Sequence, residues 1–544
     1  MSEGRPPVYL IAWVANFNPP PIWEAASAGG GKSLQEYWES GKLEEIYAES
    51  LLWTGFERLV ADAATRGVDL SRVTTINVAI SYTHELGQTT EEKVAEDFGR
   101  RLASSQLRQY FHHTPKIRCT PTHAASSSGM VPFNDALADL LDRGEEMSIA
   151  VTGGNTKGTN RNRPRITPAE TTEIFASLVS PFDRKFAKAN MLKLGAAALG
   201  RAYQHDFELV KALDKFVYEQ RLYTHELARR KLSTAHVTTH PDEIEDRTIY
   251  YPLKLIGVAP QSIGYAGLIL SSQPPATERA VRVAGVGCGV DPSSIRDRES
   301  HLFSKAMASS VSTALSQARI PGLSSLKILE HHNPFPSVPL TELDVILKSL
   351  GYQKTVTHAL LSNDVGTNGT LIKAGRSGGA QSGHAIAPTF IRLTFEAAKQ
   401  LWGIAGYPAP EMGPHEVAYA GISGVGGHHA FDGYAILVGG GTEEVSKLRT
   451  DLEPFDHDDY NSMAERDLQE QEGLTSAKVP DGMVVAFISY QATKGGHDYF
   501  GIARTPDGRD FPFTASSVFF SHLLQTAYIG TPVRLSPKLH AVET

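Results

Sequence analysis

Ser126-Ser127-Ser128-Gly129 stands between an extended stretch, Lys116–Thr120, and a run with apolar residues at helical spacing: Met130, Phe133, Ala136, Leu137, Leu140 and Leu141. This strand, short loop and helix decide the reading, because they form one unit of a sheet covered by helices. The pattern predicts a helix over Ser126–Arg143 that opens at the serines. Upstream, Val8–Val14 and Thr75–Ile80 read as strands, and Ala48–Arg66 and Glu92–Leu102 as helices. Met147–Thr152 reads as a further strand, ended by Gly153-Gly154. The alternation predicts a mostly parallel sheet with helices on its faces.

Residues 160–250 break that rhythm with charged helical segments, Lys188–Gln204 and His205–Ala228. Pro260-Gln-Ser-Ile-Gly-Tyr-Ala-Gly then leads into the apolar run Leu268–Ser271, and Val281–Val286 reads as a strand. The alternation restarts with helix Phe303–Arg319, strand Ser325–Leu329, helix Leu340–Leu350, a Gly-rich loop at 366–383, helix Ala387–Trp402 and strands near 415–422 and 433–438. The chain thus reads as two similar α/β halves, 1–160 plus 251–278 and 279–440, with a helical insertion at 161–250. Residues 441–480 carry many acids and few bases and read as a linker. Residues 481–544 hold short strands around Met483–Tyr490, Asp498–Arg504, Phe511–Phe513 and Val533–Leu535, a small β-rich, OB-like module.

The 544 residues are 41% hydrophobic and 21% charged, with a net charge of -8. That composition fits a globular protein and argues against a nucleic-acid or anionic-membrane surface. Two cysteines, Cys119 and Cys288, exclude a disulfide framework, and neither lies in a zinc-binding pair. Val8–Ala15 reads as a buried strand rather than a leader, and the C-terminus carries no peroxisomal address. The expected location is cytoplasmic.

Gly29-Gly30-Gly31-Lys32-Ser33 lacks the first glycine of a P-loop, since Ala26 stands there, and reads as a surface loop. Ser126 has two readings. As a helix cap it satisfies orphan N–H groups; as a nucleophile it gains from the helix dipole and exposed amides but needs an adjacent base. His331-His332 and His428-His429 fall in loops beside core strands, where general acid–base or oxyanion work concentrates. Adjacent histidines do not chelate one metal from regular backbone, so no metal site is expected. Asn368-Gly369-Thr370 and Gly375-Arg376-Ser377-Gly378-Gly379 form a loop whose backbone can approach a ligand closely. Arg376 is a fixed cation that can bind an anion and cannot serve as a base. Asp456-His457-Asp458-Asp459 reads as a solvated charge run.

Taken in order, Ser126-x-Ser128-Gly129, Val151-Thr152-Gly153-Gly154, Pro252–Leu255, Pro260–Gly264, Glu330–Phe335, Asn368-Gly369, Gly375–Ala380 and Gly424-Val425-Gly426-Gly427 resemble the thiolase superfamily over about residues 7–438. The β-rich tail is similar to the additional domain of the type 1 thiolase-like branch. The resemblance implies a duplicated core of five αβαβα layers and a non-covalently held coenzyme A or acyl-CoA ligand, with the insertion helping to hold its nucleotide end. It also implies a nucleophilic cysteine at 126, a base histidine at 376, a second cysteine in the late Gly-rich loop and an oxyanion-hole residue at 332. This chain has Ser126, Arg376 and His332, and no cysteine at 424–430. The candidate catalytic residues are therefore Ser126, His332, Arg376, His428 and His429, with Gly369, Gly375, Gly378 and Gly379 at the ligand. The expected activity is acyl transfer or C–C bond chemistry on an acyl-CoA without thiol catalysis. A retro-aldol lyase and a non-catalytic acyl-CoA binder are the alternatives. No nucleic acid or membrane partner is expected, and the chain is expected to be a monomer or a homodimer.

Overall fold

The computed structural model describes residues 5–17, 21–28, 30–80, 91–120, 127–159, 180, 183, 189–205, 207–230, 234, 239–298, 304–320, 325–349, 351, 373–403, 416–427, 429–456, 466, 483–493, 496–507, 509–514, 532–535 and 541–542. Its strands are β1 (Val8–Asn16), β2 (Val73–Ile80), β3 (Lys116–Arg118), β4 (Met147–Asn155), β5 (Thr248–Tyr250), β6 (Leu253–Lys254), β7 (Ile263–Ser271), β8 (Arg279–Val290), β9 (Leu326–Glu330), β10 (Lys373–Ala374), β11 (Ala418–Gly426) and β12 (Phe431–Gly441), followed by β13 (Met483–Thr493), β14 (Gly496–Arg504), β15 (Asp510–Phe513), β16 (Pro532–Leu535) and β17 (Ala541–Val542). The helices are α1 (Pro21–Ala28), α2 (Gly30–Glu39), α3 (Ala48–Thr65), α4 (Glu91–Ser104), α5 (Met130–Leu141), α6 (Met191–His205), α7 (Phe207–Arg229), α8 (Lys305–Ala318), α9 (Ser337–Ser349), α10 (Ala387–Trp402) and α11 (Thr442–Lys447).

The duplication is visible in the strand order. One ten-stranded sheet runs β10-β9-β11-β12-β8-β1-β7-β4-β2-β3. Read outward-in, each half has the same plan, β3-β2-β4-β7-β1 and β10-β9-β11-β12-β8. The outer three strands of each half are parallel and the inner ones antiparallel. The two halves meet where β1 pairs with β8, Tyr9 opposite Arg282. Backbone pairing at β1–β8 runs the sheets of the two halves into one another. Strands β4, β7 and β11 are buried along their whole length, which explains their continuous apolar or small-residue composition.

Helix α10 packs on β1, β4, β7, β9, β11 and β12, thus on both halves, and α5 packs beside it on β4 and β2. Their shared core holds Val8, Leu10, Met130, Phe133, Leu137, Phe390, Leu393 and Leu437. The outer faces are covered by α3 on β4, β7 and β1, and by α8 on β8 and β12. Strand β8 and α8 fit closely because three alternate glycines face three helix residues four apart. A Cβ on Gly285, Gly287 or Gly289 would lie 2.1, 2.3 or 2.2 Å from the carbonyl oxygens of Ala314, Ser310 and Ala306. Glycine at strand period thus meets small residues at helix period, and the two backbones come into contact.

Several expectations change. Of the segment read as a surface loop, residues 30–33 open α2, because Leu34, Tyr37 and Trp38 pack against the small core of Trp23, Leu43 and Ile46. Helix α5 starts at Met130 rather than at the serines, with Gly129 as its N-cap residue. Strand β7 begins at Ile263, ahead of the apolar run, since its glycines are buried strand positions. The start of the acidic stretch is no solvated linker: Leu452 is buried, and Asn134 exchanges two hydrogen bonds with Phe455, at 2.8 and 2.9 Å. The charge run at 457–459 lies outside the described residues.

The insertion supplies α6 and α7, packed on each other. The C-terminal strands form an antiparallel five-stranded sheet, β15-β14-β13-β16-β17, which rests on α6, β5 and a turn at Ile295–Asp297. Phe500 and Ile502 enter the same core as Met191 and Leu194. Among the described residues no helix is long and apolar enough to cross a membrane.

Candidate active site

The N-terminal ends of α5 and α10 touch. A Cβ on Gly129 would lie 2.1 Å from the carbonyl oxygen of Ala387, so only glycine permits the approach. Ser126 lies outside the described residues. Its neighbours Ser127 and Ser128 are buried, and their hydroxyls have no hydrogen-bond partner. Ile386, immediately before α10, is held at φ 64°, and His429 at φ 70°. A β-branched residue in that region is strained, and such strain concentrates at functional sites.

Strand β9 delivers Glu330-His331-His332-Asn333 to this end of the sheet. The His332 amide donates to Ser423 Oγ at 2.9 Å, and Nδ1 accepts the Val425 amide at 2.8 Å. His332 Nε2 lies 3.5 Å from Nδ1 of His384, with ring centroids 4.9 Å apart. His384 stands three residues ahead of α10, fixed by its amide donating to the Pro260 carbonyl at 2.9 Å and by its carbonyl accepting from Thr156 Oγ1 at 2.9 Å. Thr389 Oγ1 is 3.1 Å from His384 Nδ1. Burial first, then the nearby Arg392 guanidinium, pushes His384 down to about 3. Burial, His384 and Arg392 together hold His332 well below the ordinary imidazole range. Both rings are neutral at physiological pH. Arg392, fully buried, donates to Ser382 Oγ and the Gly379 carbonyl and lies over the Phe17 ring at 4.7 Å. The turn after β11 brings in His429, whose Nδ1 is 2.6 Å from Asp432 Oδ2. His428 lies outside the described residues.

Behind this cluster, Ser423 Oγ and His331 Nδ1 both reach Glu342 Oε2, at 2.7 Å each. Glu330 accepts from Ser377 Oγ, from the Ser377 amide at 3.2 Å and from Gln400 Nε2 at 2.6 Å. Burial pushes its carboxyl up to about 7. The folded state therefore keeps a proton between about 4.5 and 7 that the unfolded chain releases, so this contribution favours folding at low pH and fades as pH rises to 7. His384 acts oppositely: its contribution is full above 6.5 and is lost as pH falls toward 3. Glu330→Gln is expected to unmask the histidine slope, making stability rise with pH by about 1.4 kcal/mol per pH unit more than in the parent chain. Urea unfolding across that interval checks it; parallel slopes would mean that Glu330 ionises normally.

Of the glycine loop, Gly369 lies outside the described residues. Gly375, Gly378 and Gly379 have φ of 60°, 88° and 56°, and the space a Cβ would need is taken by Gln220, Thr224 and Asn333. They bring the loop against α7 and the end of β9. Arg376 lies 4.2 Å over the Tyr223 ring on α7. The histidine that meets His332 is instead His384, which the sequence reading missed. Its signal was available: Gly383-His384 directly precedes the predicted helix at Ala387, whereas a turn at Gly379–Ser382 separates Arg376 from it. A cavity of about 390 Å³ opens beside Ser382 and Gly383, lined by Pro260–Ile263 and by two cations, Lys157 and Arg221. Arg221 also ties the insertion to the core, reaching the Val258 carbonyl at 2.8 Å. Both cysteine thiols are pushed by burial up to about 12, Cys119 after β3 and Cys288 on β8. Among the described residues no cluster of histidine, cysteine or acidic side chains is arranged to hold a metal.

This duplicated, helix-centred sheet is the thiolase fold. Over 99% of both chains it matches the monomeric SCP2-thiolase-like protein type 1 of Mycobacterium smegmatis, with a TM-score of 0.58 and 13% identity. The human mitochondrial 3-ketoacyl-CoA thiolase in complex with CoA matches 80% of this chain and 98% of its own (TM-score 0.50, 14% identity). The Ltp2–ChsH2(DUF35) aldolase matches 80% and 98% (TM-score 0.52, 16% identity). No protein-family model matches the sequence, and no curated protein matches it by sequence.

Proposed function

We propose that this chain forms or cleaves a carbon–carbon bond next to the carbonyl of an acyl-CoA, using histidines in place of a thiol. The contact between His332 and His384 at the N-terminus of α10 carries this reading. Neutral, buried imidazoles with a third histidine beside them suit proton transfer at a polarised carbonyl. The thiols are protonated and lie on other elements. The cavity at Gly383 suits a thioester arm, with Lys157 and Arg221 supplying positive charge for phosphates. That a thiolase of the same fold is described with CoA bound supports the ligand class.

A second reading, acyl transfer through a serine, is favoured by the unpartnered hydroxyls of Ser127 and Ser128 beside Ser126. One experiment separates the two. A panel of acyl-CoAs is incubated with the protein in D2O, following deuterium gain next to the carbonyl, chain cleavage and the intact protein mass. Exchange or cleavage without an adduct supports the histidine reading. An acyl adduct lost in Ser126→Ala moves the function to serine acyl transfer. Saturable CoA binding with neither makes the chain a non-catalytic binder.

A further inference from the structure

We infer that the C-terminal sheet is a brace within the chain: seated across α6, β5 and the turn at Ile295–Asp297, it holds in place the two loops that carry His332 and His429. The inference rests on the function proposed above, which makes those loops the reacting centre, and it gives the added sheet a part in that reaction.

The first arm runs through α6. Phe500 and Ile502 of β14 are fully buried and share a core with Met191 and Leu194 of α6. On the next helix residue, Gly195, a Cβ would lie 3.1 Å from Cγ of Phe335. Tail, helix and Phe335 are thus packed in series, and Phe335 stands three residues after His332. The same loop is tied to the cavity wall. The Ala259 amide donates to the Pro334 carbonyl at 3.0 Å, and Gln381 Nε2 joins the carbonyls of Gly257 and Asn333 at 2.9 and 2.8 Å. Strand β13 packs on β5, whose partner β6 leads directly into that wall at Leu255.

The second arm runs through the turn. Strand β15 lies at the edge of its sheet, yet all four of its residues are buried, because it rests on Ile295–Asp297. The turn is anchored from below. Asp183 accepts the Ser294 hydroxyl and the Ile295 amide at 2.9 Å each, and Ile295 enters the same core as Phe500. Ahead of the turn, the Asp291 amide donates to the carbonyl of Ala430 at 3.0 Å, next to His429, and the Asp291 carboxylate accepts the Lys305 amide at 2.9 Å. Close-packed interiors pass displacements on instead of absorbing them. Two loops that follow different strands, β9 and β11, therefore share one support, which belongs to neither half of the ten-stranded sheet. Moving a reacting group by about 1 Å costs on the order of 10²-fold in rate, so such a support acts on the reaction without touching substrate. Phe500 and Ile295 are positioning residues.

The test uses the full chain and follows two readouts: amide hydrogen exchange resolved to single residues, and deuterium gain by acyl-CoA in D2O. Phe500→Ala is expected to speed exchange at the Ala259 and Val338 amides, which bond the Pro334 and Phe335 carbonyls, and to spare Asp291 and Ala430. Ile295→Ala is expected to do the reverse. Both are expected to lower kcat and kcat/KM together, by about 10- to 100-fold, and Phe500→Leu to restore most of the loss. Gly195→Ala probes the first arm from its other end should Phe500→Ala not fold. Alanine favours the helix while its Cβ presses on Phe335, so the rate is expected to fall without a fall in the urea midpoint. Four amides that respond alike or not at all, or rates within about twofold of the parent in every variant, overturn the inference and reduce the tail to added core. If the parent chain itself shows no acyl-CoA exchange, the proposed function fails, and the amide pattern alone decides the brace.

Discussion

His384→Ala is expected to abolish nearly all exchange next to the acyl-CoA carbonyl, a loss of at least about a hundredfold. The reason is positional. His384 joins the oxyanion-hole candidate His332 to the N-terminus of α10, beside the cavity at Gly383. Alanine also leaves the His332 Nε2–H facing a void, which should cost roughly 1–3 kcal/mol of stability. Rates measured alongside urea unfolding separate the two effects. A variant destabilised by that amount yet within tenfold of the parent rate would show that the histidine pair only fills the core.

Gly287→Val is expected to prevent folding, or to cost more than about 4 kcal/mol. The added Cβ would sit 2.3 Å from the Ser310 carbonyl and 2.9 Å from the Thr313 side chain, and the extra methyls have nowhere to go. Neither strand nor helix can yield, because β8 is the seam between β1 and β12. Gly67→Ala provides the comparison: it has open space around a Cβ and pays only for its φ of 69°, roughly 1–2 kcal/mol. Soluble yield and urea midpoints of both variants decide it. Equal effects would mean that backbone conformation, not the α8 contact, explains the glycines of β8.

Most of the scaffold was legible because its signals are local. Val8–Val14 is a continuous apolar run, Thr75–Ile80 and Met147–Thr152 are short and mostly apolar, and α3 and α5 carry buried apolar residues at helical spacing. The errors arose where burial is met by small residues instead of apolar ones. The first half of β7 and the start of α2 contain glycines that read as loop signals, yet the strand is fixed by what packs on it and the helix by Leu34 in its small core. A Cβ on Gly264 would run into Phe17, for example. The site was half legible. His332 and His429 were singled out from their place beside strands, and the structure sets them at the end of β9 and in the turn after β11. His384 was passed over because an earlier glycine cluster matched the expected order, and order along the chain carries no distance to the helix N-terminus. Nothing in the sequence marks Glu342, Glu330 or Arg392 as site supports, since their roles exist only through partners far along the chain.

The seam made by β1 has a kinetic meaning. Tyr9 pairs with Ser271 on one side and Arg282 on the other. Strand β1, with its apolar run Val8–Ala15, therefore has no sheet partner until β7, Ile263–Ser271, has followed it out of the ribosome. Such long-range closure slows folding and leaves an aggregation-prone edge waiting in the meantime. Synthesis of this protein should depend on a chaperone that shields its N-terminal segment.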